Sequence, residues 1–283
     1  MKIKLLLTII ITILLFNIHI LYSMKFSPEF GIFMNIGASK IFTKTEVDQN
    51  EYSYLVDFRT IKGDIFLDFE AIFQLGVKNN INNNIVTGLT SLLEIGYSPY
   101  IISTKYEGES DSIYYIFTDR VILYSLVLGA LEKIVFNNFS IGIGAGVLFP
   151  ISGFAASNHP RNIISVMPSE NLSIISPYNS KLDYAYIKKL FKVPVAPYIK
   201  ITAEYAFKPY KIDNAEMDFV LGAYLSYNFG MQYDVSVLNS NIPKQGDNGL
   251  IIPGISSKDM FYKYDYSNLD FGVTFGVSFR ALE

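Results

Sequence analysis

The sequence predicts a closed antiparallel β-barrel that crosses a membrane. Three observations predict it. Eight segments alternate between apolar and small or polar residues at period 2, the signature of strands with one face in an apolar medium. The connections between them alternate in length, long then short, as the loops and turns of a membrane barrel do. The chain opens with a short basic start and an apolar run from Leu5 to Phe16, too short to span a bilayer but suited to a secretory signal peptide. Composition agrees: mean hydropathy is +0.27 and 15% of residues are aromatic, as expected when only alternate residues face lipid.

The first strand is expected over Phe30–Ile36, with Phe30, Ile32, Met34 and Ile36 on one face. The second, Asp64–Val77, sets Ile65, Leu67, Phe69, Ala71, Phe73, Leu75 and Val77 against Asp64, Asp68, Glu70 and Gln74. The third, Ile85–Ile101, sets Leu89, Leu93, Ile95 and Tyr97 against Glu94 and small residues. The fourth, Ser112–Leu131, is apolar on both faces. Placing Ile122, Tyr124, Leu126 and Leu128 outward turns Ser125 and Gly129 inward.

The fifth strand, Phe139–Phe149, alternates large residues with Ser140, Gly142, Gly144 and Gly146. The sixth, Val193–Phe207, carries Lys200, Thr202 and Glu204 on its polar face, and Pro194 and Pro197 predict an irregular start. The seventh, Met217–Phe229, sets Met217, Phe219 and Leu221 against Asp218 and Gly222. The eighth, Leu269–Phe279, alternates Phe271, Val273, Phe275, Val277 and Phe279 with Gly272, Thr274, Gly276 and Ser278. A soluble sheet would put charges on that second face. Small uncharged groups suit a narrow lumen.

Four long connections are expected at 37–63, 102–111, 150–192 and 230–268, and three short ones at 78–84, 132–138 and 208–216. Eight strands with a periplasmic N-terminus put every long connection outside and return the C-terminus to the periplasm. The alternating stretch Tyr52–Arg59 leaves ten strands as the alternative, with a partner strand within Asn162–Ile175.

Residues 1–23 are expected to be a cleaved signal peptide and 24–283 a single barrel. Removing Lys2 and Lys4 with the leader shifts the formal net charge from −3 to −5, which offers no footprint for nucleic acid. The chain has no cysteine, which excludes disulfides, thiolate metal sites and a cysteine nucleophile. The expected lumen set is Asp64, Asp68, Glu70, Gln74, Glu94, Lys200, Glu204, Asp218 and Asp270, with Lys200 the one clear inward base and Arg120 and Arg280 near strand ends. Buried charges must be paired or solvated. The set reads either as a salt-bridged plug or as an acid-lined path favouring cations.

This pattern resembles the small outer-membrane β-barrel proteins of the OmpA transmembrane-domain, OmpX and OmpW type. The resemblance is one of architecture and covers nearly the whole chain after the leader. Its most specific element is Phe271, Val273, Phe275, Val277 and Phe279, which looks like the C-terminal signal read by the barrel-assembly machinery. Here Arg280–Glu283 follow the last aromatic residue, a departure from the family's pattern. The resemblance implies an outer-membrane location with lipid around the barrel. It also implies periplasmic chaperoning, insertion by that machinery, and no catalytic residue or cofactor.

Nothing in the residues suggests an enzyme. His159, the one histidine after the leader, stands alone in Ser157–Arg161, with no spaced ligands for zinc. Glu107, Glu109 and Asp111 lack a calcium-loop pattern. The expected function is a structural or surface-exposed barrel. Its outer loops, apolar at Ile151, Ile163, Ile164 and Val166, would contact an extracellular partner. A narrow channel for small solutes is the alternative. A soluble lipocalin-like binder would need charged outward faces, which these strands lack.

Overall fold

The computed structural model describes residues 26–47, 57–63, 65–81, 85–110, 113–158, 180–207, 209–212, 214–234, 236 and 261–281, with side chains placed for most of them. Among the described residues it is built of strands, with one short helix between two of them. The strands are β1 (Phe26–Val47), β2 (Asp57–Gly63), β3 (Ile65–Asn80), β4 (Gly88–Ser110), β5 (Ile113–Phe136) and β6 (Phe139–Asn158). After them come β7 (Ser180–Leu182), helix α1 (Tyr184–Leu190), β8 (Ala196–Ala206), β9 (Tyr210–Ile212), β10 (Ala215–Asn228) and β11 (Phe261–Ala281).

Eight strands close into a ring in the order β1, β3, β4, β5, β6, β8, β10, β11, and β11 pairs back on β1. All ring pairings are antiparallel. β2 pairs with β4, β7 with β6 and β9 with β10, outside the ring path. The register fixes the stagger. Paired residues run from Phe30 through Leu75, Leu93, Ala130 and Ala145. The same row continues through Ile199, Tyr227 and Leu269 and returns to β1 at Lys40. One circuit therefore climbs β1 from residue 30 to residue 40, and such a stagger forces the strands to tilt, typically by about 35–45°.

The residues of that row up to Leu269 belong to the outward face, and the outward face is apolar. Ile32, Leu75, Ile95, Ile143, Ile201 and Phe275 are all exposed. Exposure on this scale is costly in water and favourable in hydrocarbon. Phe30 stacks on Phe279 at 4.8 Å across the closing seam, and Tyr97 stacks on Tyr124 at 6.3 Å nearer the other rim. These rings have the positions of the two aromatic girdles of a transmembrane barrel. Among the described residues no helix is long and apolar enough to cross a membrane.

The expected strands all exist, and most are longer than expected. Residues 37–47, 57–63, 102–110, 150–158 and 261–268, expected within long connections, are strand instead. β4 and β5 run for 23 and 24 residues, where about 9–11 would cross the bilayer. The reason is physical: beyond the apolar belt both faces of a strand meet water, so the period-2 signal fades while the ladder continues. Of Tyr52–Arg59, only 57–59 lie in the described residues. They belong to β2, which extends the second hairpin upward and is no separate barrel strand. The leader, His159, Asp111 and the proposed partner strand 162–175 lie outside the described residues.

Two departures matter for the interior. Helix α1 was not expected. Asp183 caps it, accepting a 2.7 Å hydrogen bond from the Tyr186 N–H, and Lys188 and Lys189 complement the dipole in its last turn. Its apolar residues Ile187 and Leu190 turn inward and are fully buried. The second departure is a break in the wall. The β3–β4 ladder ends at Ala71–Tyr97, and pairing to β4 resumes only at Gly63–Thr104 on β2. Over Ile65–Glu70, β3 is paired to β1, and over Ser98–Ser103, β4 is paired to β5. Pro99 lies in this stretch and has no N–H to give a neighbour.

Glycines on the inward face make room for one large side chain. A Cβ on Gly129 would lie 2.2 Å from the Tyr198 hydroxyl, and one on Gly146 would lie 2.7 Å from its ring. Gly129→Ala should therefore destabilise the barrel by about 1–3 kcal/mol through overpacking. The cost should shrink in a Tyr198→Leu background, as contacting sites couple. Urea unfolding of the refolded protein in detergent measures both. Equal cost in the two backgrounds would count against this packing.

Candidate functional site

Among the described residues, the lumen is where polar side chains gather away from solvent. The inward positions of β3, β4, β5 and β8 supply its centre. Lys200 on β8 forms an ion pair with Glu94 on β4 at 2.7 Å, and both side chains are almost completely buried. The Gln74 amide donates to Glu94 at 2.8 Å. The Gln74 carbonyl accepts from Lys133 on β5 at 3.3 Å, and Lys133 pairs with Glu204 on β8 at 2.7 Å. Gln74 thus links two ion pairs into one chain that crosses the lumen. It can do so because an amide both donates and accepts. The Lys133 ammonium also sits 5.0 Å from the Phe33 ring centre, within cation–π range.

Three further layers stack along the barrel axis. Toward the long connections is an acidic chamber. Asp68 accepts from the Tyr224 hydroxyl at 3.2 Å, Glu70 accepts from Asn35 at 2.6 Å, and Asp270 accepts from Asn228. Asp68, Glu70, Tyr224, Asn228 and Asp270, with Ser98 and Lys200, border a cavity of about 20 Å³, room for one water-sized occupant. Above it lies an apolar layer. Ile187, Leu190, Phe191 and Tyr233 pack there with Tyr100 and Leu123 from the walls. Backbone bonds from Lys192 to Gln232 and from Asp234 to Leu190 tie the helix end to the segment after β10.

At the turn end, Arg280 donates to Asp218 at 2.8 Å and lies 3.8 Å from Glu29 and 3.7 Å from Glu216. Here a cavity of about 120 Å³ opens, bordered by Lys78, Lys133, Glu204, Asp218 and the turn residues Asn137 and Asn138. Glu94 and Gln74 border neither cavity and stand between them.

Of the lumen set expected from sequence, Gln74, Glu94, Lys200, Glu204, Asp218 and Asp270 are buried, and Asp68 and Glu70 are half-buried. Asp64 lies outside the described residues. The structure does not gather them into one cluster: Asp218 belongs to the turn-end group, separate from the Glu94 chain. The expectation of a single inward base is corrected. Lys78 and Lys133 are also buried, and Arg280 is inward, while Arg120 is exposed on the outside. Lys133 was hidden because the fourth segment is apolar on both faces. Continuing its inward parity past Leu131 reaches Lys133. Phe271, Val273 and Phe275 are exposed on the outward face of β11, between β10 and β1.

Among the described residues no three His, Cys, Asp or Glu side chains converge as a metal site would require. The carboxylates of the Glu94 chain each meet a lysine and act as braces across the lumen.

What this fold defines is a membrane-spanning β-barrel with a filled lumen. No protein-family model matches the chain, and no curated protein does. Among solved structures, the outer membrane protease OmpT from Escherichia coli aligns over 92% of this chain and 99% of its own, at 10% identity and a TM-score of 0.35. The outer membrane protein OprG from Pseudomonas aeruginosa aligns over 91% of this chain and 96% of its own, at 8% identity and a TM-score of 0.26. Similarity at this level transfers no activity to the chain.

The ion-pair chain makes a quantitative prediction. Glu94→Ala would strand the Lys200 ammonium and should cost about 3–5 kcal/mol. Replacing both, Glu94→Leu with Lys200→Met, should cost much less, because no uncompensated charge remains. Denaturant unfolding in detergent distinguishes them. If the single and double variants lose the same stability, Lys200 and Glu94 are not the coupled pair described.

Proposed function

We propose that this chain is a non-catalytic outer-membrane barrel whose closed lumen makes it a structural, surface-displaying protein rather than an open pore. The observation that carries this reading is the filled lumen. The Lys200–Glu94–Gln74–Lys133–Glu204 chain braces the middle, and α1 with Phe191 and Tyr233 fills the end away from the turns. The long extensions of β4, β5 and β6 run well past the apolar belt, on the side where an extracellular partner would meet the chain. Both termini belong at the periplasmic end, with the short turns. Phe271, Val273, Phe275, Val277 and Phe279 serve as the assembly signal, delivered by periplasmic chaperones to the barrel-assembly machinery.

The second reading is a narrow cation path, favoured by Asp68, Glu70 and Asp270 around the upper cavity. It requires the Lys200–Glu94 bridge to open. Planar-bilayer recording of the refolded full chain separates the two. The structural reading expects silence where a control porin conducts. A stable unitary current that falls on Asp68→Asn would overturn it in favour of the channel. Heat-modifiable gel mobility of the detergent-refolded protein checks the barrel itself, and its absence would remove both readings.

A further inference from the structure

The chamber above the Lys200–Glu94 bridge holds more negative charge than its walls balance. Asp68, Glu70 and Asp270 all border its cavity of about 20 Å³. Among the described residues, the donors that bond them are neutral. Asp68 accepts from the Tyr224 hydroxyl and the Phe69 N–H, and Glu70 accepts from the Asn35 amide. Asp270 accepts from Asn228 and Ser39. Lys200 is the one cation bordering the cavity among the described residues. Its ammonium is engaged by both oxygens of Glu94, at 2.8 and 2.7 Å. The other lumen cations belong lower down: Lys133 pairs with Glu204, Arg280 pairs with Asp218, and Lys78 borders the turn-end cavity. Three carboxylates facing a narrow lumen without a counter-charge are costly.

A second observation points at the cavity itself. Ser98 on β4 borders it and is only 7% exposed, yet its hydroxyl has no hydrogen-bond partner among the described residues. Carboxylates from β3 and β11 and a hydroxyl from β4 thus line a space the size of one water or one small ion. Oxygen ligands of this kind are what a hard cation takes. The carboxylates do not converge as a divalent site requires, and the Lys200 ammonium beside them disfavours a double charge.

We propose that this chamber is a binding site for one monovalent metal cation of sodium or potassium size. Asp68, Glu70 and Asp270 supply its counter-charge, and the Ser98 hydroxyl supplies a neutral oxygen. The site rests on the filled-lumen reading and deepens it. The ion sits between the closed Lys200–Glu94 bridge and the apolar layer of Ile187, Leu190 and Tyr233, as part of the plug and not as a passenger on a path.

The full chain is refolded into detergent micelles in potassium, sodium or choline chloride at equal ionic strength. Choline is too large for the cavity. Urea unfolding, read by loss of heat-modifiable mobility, should show a higher midpoint in potassium or sodium than in choline. The difference should grow with the logarithm of the ion concentration. Asp270→Asn should abolish it. Ser98→Ala keeps every charge and removes one neutral ligand, and should move half-saturation to a roughly five-fold higher concentration. Glu216→Gln, at the turn end, should leave the difference unchanged. Equal midpoints in all three salts would overturn the site, as would a metal-ion effect that persists undiminished in both Asp270→Asn and Ser98→Ala. Midpoints equal in the three salts but rising as pH falls would assign the balancing charge to protons and overturn it too. Heat-modifiable mobility in each sample shows that the barrel stands, so such results tell against the site alone. The filled-lumen reading is tested separately by bilayer recording.

Discussion

A bilayer offers no hydrogen-bond partners, so the backbone of a strand that enters it must pair with another strand on each side. The rest of this structure depends on that constraint. It requires β11 to return to β1, and the return fixes the stagger of ten residues that runs from Phe30 to Lys40. The stagger in turn sets tilt and diameter. A ring of eight strands is narrow enough for side chains two or three strands apart to meet inside it, which is why Gln74 on β3 can reach Lys133 on β5, and Lys133 can reach Glu204 on β8. Closure at the seam and the polar chain in the lumen are two results of one geometry.

The narrow lumen explains what its residues are. Small groups are needed where a large one crosses, as Gly129 and Gly146 admit Tyr198. Charges are tolerated where each finds an opposite charge or an amide, as Glu94 finds Lys200 and Gln74. A buried pair of this kind is not by itself strong evidence of stability, because desolvation offsets much of the attraction. Its value here is specificity. An eight-stranded ring whose register slipped by one residue would expose Lys200 and Glu94 to lipid and turn the outward isoleucines into the lumen.

Much of this was legible in the sequence. The eight outward faces were readable because lipid demands apolar residues at every second position, and Phe271–Phe279 shows that demand most cleanly. Glu94, Lys200 and Glu204 were readable as inward for the complementary reason. Three things were not. The strand extensions past the belt, such as 102–110, lose their alternation once both faces meet water. Lys133 sat beyond an apolar stretch with no visible phase. The helix Tyr184–Leu190 is one short amphipathic turn pair, and its Ile187 and Leu190 carry too little periodicity to stand out. The β3–β4 break left a single trace, Pro99 inside an otherwise regular strand.

Ring closure in the stated register is the central claim, and the absence of cysteine makes it directly testable. Ile32 and Val277 face each other across the β1–β11 seam, whereas Val273 lies four residues along β11. Directly opposed strand positions lie within disulfide reach. The account predicts that Ile32→Cys with Val277→Cys cross-links on mild oxidation of the refolded protein, while Ile32→Cys with Val273→Cys does not. Cross-linking of the displaced pair instead, or of neither pair in a protein with heat-modifiable mobility, would contradict it.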